Sequence, residues 1–157
     1  STIIEGGTGA TSKELAQTPF LPERLESGTI NTVGIIGLGA GLKFVADKTP
    51  ERIMAHEEQL CKQFMHGLQT LPNIKIYRSE CKHVPIVAFN IGDINSQEVA
   101  NYLSDNGYAL RGGIQCAALA HNTLGTTDQG VVRFSPSAFN NKQQVSGLLN
   151  TIKRYNP

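Results

Sequence analysis

The chain has 157 residues, 39% of them hydrophobic and 17% charged, with a formal net charge of +1. That length suffices for one ordinary domain with a core of its own, and so even a charge balance excludes a strongly basic surface for nucleic acid or acidic membrane. No apolar run approaches the roughly 20 residues of a membrane span.

Three widely spaced cysteines, Cys61, Cys81 and Cys116, form no CxxC pair and no zinc pattern. An odd count argues against a disulfide framework and fits a reducing cytosol. His56, His66, His83 and His121 show neither HxxxH nor HExxH spacing, so no metal site is expected. The chain opens Ser1-Thr2-Ile3-Ile4-Glu5, with no initiating Met and no signal peptide, and reads as cut from something longer.

Residues 1–33 are rich in Gly, Thr, Ser and Pro and read as an extended loop segment, a kind of stretch that usually serves a site. From Val33 to about Leu71 apolar residues recur every three or four positions, which predicts helices. Pro50 interrupts the run, so two helices are expected with a break at Asp47–Thr49, Thr49 capping the second and Pro50 in its first turn. Ile74–Tyr77 alternates as a strand does, and Pro85–Ile91 is a stronger, largely apolar strand. Ser96 is read as capping a helix that stops at Asn106-Gly107. Tyr108–Arg111 reads as a short strand, 112–130 as a Gly-containing loop and Val131–Phe134 as another short strand. Asn140 or Asn141 caps a last helix, with Lys153-Arg154 in its final turn. The order predicts an α+β fold: a small, mainly antiparallel sheet with helices on one face.

Two glycine-rich stretches fail as nucleotide motifs. In Gly6-Gly7-Thr8-Gly9-Ala10-Thr11-Ser12-Lys13 a serine stands where a phosphate loop needs glycine before its lysine. Gly37-Leu38-Gly39-Ala40-Gly41 has its last glycine displaced and no strand before it; its small residues suit close helix packing.

Three short segments carry residues suited to chemistry. Glu26-Ser27-Gly28-Thr29-Ile30-Asn31 precedes a helix, so Thr29 can give a hydroxyl and backbone N–H groups to an anion, or serve as an ordinary turn residue. Arg111-Gly112-Gly113-Ile114-Gln115-Cys116-Ala117 puts a cysteine in a Gly-rich loop. Such a cysteine is either a semi-buried small residue or a nucleophile, for which loop exposure supplies access and room to move. In Val131-Val132-Arg133-Phe134 an arginine breaks an apolar strand. It is either an edge residue that limits aggregation or a rigidly held fork for a carboxylate.

Together these segments resemble one family. Glu-Ser-Gly-Thr-Ile-Asn with Gly34-Ile35-Ile36-Gly37-Leu38 is similar to the Gly-Thr-Pro-Asn segment and following helix of cysteine desulfurases. Arg111-x-Gly113-x-x-Cys116-Ala117 is similar to the catalytic-cysteine loop of the group II desulfurases and selenocysteine lyases, within the class V aminotransferases. Ile114-Gln115 stands where that group has paired histidines, Ile30 where it has proline, and the stretch from Cys116 to Arg133 is slightly longer.

The resemblance implies the C-terminal portion of a fold-type I, pyridoxal-phosphate-dependent homodimer. Residues 1–48 would be the end of the large domain and a connecting helix, and 49–157 the small C-terminal α+β domain. Thr29 would reach the cofactor phosphate of the neighbouring subunit, Arg133 would hold the substrate carboxylate and Cys116 would take sulfur from L-cysteine as a persulfide, for a possible acceptor protein. The family's Schiff-base lysine lies upstream of the glycine-rich segment and is absent here, so the chain alone is expected to be inactive. The implied setting is cytoplasmic, with no nucleic acid, membrane or metal. Alternatives are a class V aminotransferase or lyase in which Cys116 is incidental, and a non-catalytic dimerisation or interaction domain.

Overall fold

The computed structural model describes residues 4, 13, 16–26, 28–77 and 83–155. They divide into two compact units, Ser1–Lys48 and Thr49–Pro157.

In the first unit the segment expected to be extended contains a 3₁₀ turn, Glu23–Leu25. Gln17 fastens it, its Nε2 donating to the Glu23 and Glu26 carbonyls at 2.7 Å each. Helix α1 follows over Thr32–Lys48 and buries none of its residues. Val33 and Ile36 are 84% and 68% exposed. Among the described residues a Cβ added at Gly37, Gly39 or Gly41 would meet nothing within 4 Å, so the small residues expected to allow close helix packing have no packing partner there.

The second unit opens on α2, Pro50–Gln69. Thr49 caps it, its side chain accepting from the Arg52 N–H at 3.4 Å, and Pro50 takes the first position, where a missing N–H leaves no bond unmade. Strands β1 (Ile74–Tyr77) and β2 (Val87–Ile91) then pair antiparallel, Ile76 opposite Phe89. Strand β3 (Val132–Phe134) pairs antiparallel on the other side of β2, Arg133 opposite Ala88. Between them run α3 (Ser96–Asp105) and α4 (Ala118–Leu124), and α5 (Lys142–Arg154) closes the chain.

Alternation along the strands separates two faces. Val87, Phe89, Val132 and Phe134 are buried toward the helices together with Leu60, Phe64, Leu68, Val99, Leu103, Val145 and Leu148. Phe64 is the hub, stacked on Phe134 with centroids 4.2 Å apart and edge-on to Phe89 at 5.5 Å. Burial of each such side chain contributes about 1.5–3 kcal/mol. The other face carries Lys75, Tyr77, Ala88, Asn90 and Arg133 by the same register.

Three local expectations change, and a fourth narrows to one of its two residues. Asn95, not Ser96, caps α3, its side chain accepting from the Gln97 N–H at 2.9 Å, because Ser96 is held elsewhere. Tyr108–Arg111 is no full strand; it touches the sheet through one bridge, Arg111 to Arg133. The 112–130 loop contains α4, a seven-residue helix ended by Gly125 at φ 66°. Asn141 is the residue that caps α5, with Gln144 completing a reciprocal capping box.

Candidate active site

Cys116 sits at the tip of a tight turn. The Ala117 N–H donates to the Ile114 carbonyl at 3.1 Å, and the two central residues, Gln115 and Cys116, have φ of 56° and 62°. Two consecutive left-handed residues define the mirror-image turn that glycine and asparagine prefer. Without glycine each costs on the order of 1–2 kcal/mol, so the surroundings must hold the turn. The thiol is exposed, which removes the semi-buried alternative.

Both ends of the loop are anchored on α3. The Ser96 side chain is fully buried; its Oγ accepts from the Gly113 N–H at 3.0 Å and donates to the Gln129 carbonyl at 2.7 Å. The fit is close enough that a Cβ at Gly112 would run into the Ser96 carbonyl, and one at Gly130 into Ser96 Oγ at 2.5 Å. Inside the loop, buried His121 hydrogen-bonds through Nδ1 to Thr126 Oγ1 at 2.8 Å. An amide cluster covers the sheet beneath. Asn90 Nδ2 donates to Gln129 Oε1 and the Gly130 carbonyl, both at 2.9 Å, and Gln129 Nε2 donates to the Gly92 and Ile94 carbonyls at 2.7 and 2.8 Å.

Arg133 is not an edge residue. Its strand is paired with β2 on one side and with Arg111 on the other. It is half-buried, and its Nε is a buried donor without a partner among the described residues. Ion pairs among the described residues are Lys43–Asp47 and Lys62–Glu58, neither near Arg133 in sequence. A buried guanidinium donor without an acceptor is costly, and an anionic ligand would supply the acceptor.

Thr29 is exposed and follows Gly28, whose φ of 76° turns the chain toward α1. Asn31 Oδ1 accepts from the Gly34 N–H at 3.0 Å, and the first turn of α1 holds no acidic residue. That helix end keeps its partial positive charge available for an anion. Thr29 and the Cys116–Arg133 region belong to different units.

The three sequence candidates thus occupy an exposed turn, a paired strand and a helix entry. The supports Ser96, Asn90, Gln129 and His121 were not singled out as site residues. Asn90, a polar residue inside the apolar run Val87–Ile91, is the one with a visible signal. The glycine-rich segment 6–9 and Cys81 lie outside the described residues. No group of three or more His, Cys, Asp or Glu that could hold a metal occurs among the described residues.

The family model for Aminotransferase class-V matches residues 3–148. The chain is 30% identical over 135 residues to a cysteine desulfurase of Escherichia coli O157:H7, covering 85% of this chain and 32% of the relative. A cysteine desulfurase of Pectobacterium carotovorum is 30% identical over 133 residues with the same coverage. Among solved structures, the apo cysteine desulfurase of Thermococcus onnurineus NA1 superposes with a TM-score of 0.77 at 30% identity, over 97% of this chain and 38% of that one. The cysteine desulfurase CsdA of Escherichia coli gives 0.75 at 27% identity, over 96% and 37%. The chain therefore spans about a third of the length of the curated relatives it matches.

Proposed function

Because the chain belongs to the class-V aminotransferase family, we propose that it supplies the nucleophile, the carboxylate anchor and a phosphate ligand of a pyridoxal-phosphate-dependent cysteine desulfurase. Its α+β architecture is shared with cysteine desulfurases of known structure, which have the fold-type I framework. The observation that carries the reading is the exposed Cys116 on a strained turn, whose loop adjoins the strand of an arginine with an unused buried donor.

The residues present fit the cofactor and substrate. Thr29 and the positive end of the α1 dipole would hold the cofactor phosphate, in a homodimer that of the neighbouring subunit. Pyridoxal phosphate, when bound, supplies an electron sink next to the substrate's α-carbon. Arg133 grips the substrate carboxylate with its planar fork, and the strand fixes that grip. Cys116, as thiolate, attacks the substrate sulfur; the S–S bond of a persulfide forms as the substrate's C–S bond breaks, and the electron pair left on carbon takes up a proton to give alanine. An exposed position then lets an acceptor protein or a small thiol collect it. The reading places the cofactor's lysine outside these residues and the enzyme in the cytoplasm.

The test is persulfide mapping. The holoenzyme is given L-cysteine, trapped with a thiol-blocking reagent and digested. Persulfide on the Cys116 peptide with alanine formed in step supports the reading. Transamination without persulfide would make the enzyme an aminotransferase with an incidental cysteine.

A further inference from the structure

We infer that Gln115 is a positioning residue that locks the Cys116 turn in register with β3. Its Nε2 donates to the Arg111 carbonyl at 3.1 Å and to the Val131 carbonyl at 3.0 Å. One primary amide thus uses both hydrogens to bridge the backbone entering the loop and the backbone leaving it. Those two backbones are already laddered: Arg111 exchanges hydrogen bonds with Arg133, and the Val131 N–H donates to the Gly113 carbonyl at 3.2 Å. Gln115 extends that ladder by one side chain, up to the residue before the thiol.

The turn needs such a lock. Both of its central residues are left-handed and neither is glycine, a conformation that persists only where its surroundings over-determine it. The loop's other anchors act elsewhere: Ser96 holds Gly113 and Gln129, and His121 holds Thr126. Within the turn itself the hold comes from the Ala117 to Ile114 bond and the Gln115 amide. With the amide in place, Cys116 keeps a fixed distance from the strand that carries Arg133.

The consequence for the reaction rests on Cys116 being the sulfur acceptor; the geometry does not. Three measurements test it. In the full chain, the Gln115 side-chain amide protons should exchange with solvent more slowly than those of exposed Gln143. Gln115→Glu keeps the shape but replaces the donor by an acceptor facing two carbonyls. Gln115→Gly removes the side chain and relieves the positive φ. Both should speed exchange of the Ala117 N–H by roughly tenfold with the global Tm held, the factor that corresponds to 1.4 kcal/mol of local stability. In the holoenzyme Gln115→Glu should lower kcat while leaving KM for L-cysteine unchanged.

Side-chain exchange of Gln115 as fast as that of Gln143 would overturn the lock, whatever the variants do. So would slower Ala117 exchange in Gln115→Gly, which would make backbone strain the controlling feature. A loosened turn with unchanged kcat would reduce Gln115 to a turn staple and overturn its part in the reaction. Failure of Cys116 as acceptor would show separately, in the persulfide map.

Discussion

Arg111 and Arg133 face each other across an antiparallel bridge, the Arg133 N–H donating to the Arg111 carbonyl at 2.8 Å and the Arg111 N–H to the Arg133 carbonyl at 3.4 Å. Directly opposite residues share a face, and like charges there are destabilising. The pair therefore works against the fold and in favour of an anion. Arg133→Met should stabilise the chain by about 1 kcal/mol, because an unsatisfied buried donor is removed. The same change in the holoenzyme should lower kcat/KM for cysteine by about two powers of ten. Arg133→Lys should restore only part of that, since an ammonium cannot make the two-pronged contact. Denaturant melts of the chain and steady-state kinetics of the enzyme decide it; loss of stability in Arg133→Met would show the arginine to be structural.

Cys116 and Cys61 differ as an exposed turn residue differs from a core residue. Cys61 is 5% exposed, and burial, with Glu57 and Glu58 nearby, pushes its thiol up to about 11. Alkylation followed by peptide mapping at neutral pH should label Cys116 and spare Cys61. Cys61 should react only where the chain is unfolded, so its labelling should follow the unfolding curve. Comparable labelling of both in the native chain would contradict the burial and the assignment alike.

Much of this architecture was legible in the sequence because apolar periodicity is local. The spacing of Leu60, Phe64 and Leu68 marked α2, and Thr49-Pro50 marked its start. The candidate site rests on three residues that break their local pattern: Thr29 before a helix, Cys116 among glycines and Arg133 inside a strand. What was missed depends on contacts distant in sequence. Ser96 looked like a cap because serine often is one, yet Asn95 caps and Ser96 reaches Gly113 and Gln129. Helix α4 was hidden because only seven residues of it exist, and one buried residue, His121, gives no periodicity. Tyr108–Arg111 read as a strand because its side chains suit one, but the chain pairs only at Arg111 before Gly112 packs against Ser96.

Thr29 should matter for the cofactor and not for the chain. It is exposed, so Thr29→Ala should change the thermal stability of the isolated chain within the roughly 0.5 kcal/mol typical of surface substitutions. In the holoenzyme it removes a hydrogen bond to a charged group, worth roughly 1.5–3 kcal/mol, and pyridoxal phosphate affinity should fall by about one to two powers of ten. Equilibrium dialysis against rising cofactor reads this directly. Unchanged retention would take Thr29 out of the phosphate site.

Cys61 should also set an alkaline limit on the second unit. Its folded thiol titrates at about 11 against an ordinary value of 9.0, chiefly because burial disfavours the charged form. Below pH 9 both folded and unfolded thiols are protonated, and this residue adds no pH dependence. Between pH 9 and 11 the unfolded chain gives up its proton while the folded chain keeps it, so unfolding is favoured as pH rises. The stability present below pH 9 is lost progressively over that window, to a total of roughly 2–3 kcal/mol at one pKa unit per 1.36 kcal/mol. Tyrosines and lysines titrate in the same range, so the diagnostic comparison is with Cys61→Ala. That variant leaves a small cavity beside Leu60 and Phe64 and should be less stable than the parent at pH 7. Its loss of stability from pH 9 to 11 should be shallower by the cysteine's share, so that the two curves converge. Urea melts at half-unit steps of pH measure both slopes; parallel curves across the window would show that the Cys61 thiol titrates alike in the folded and unfolded chain.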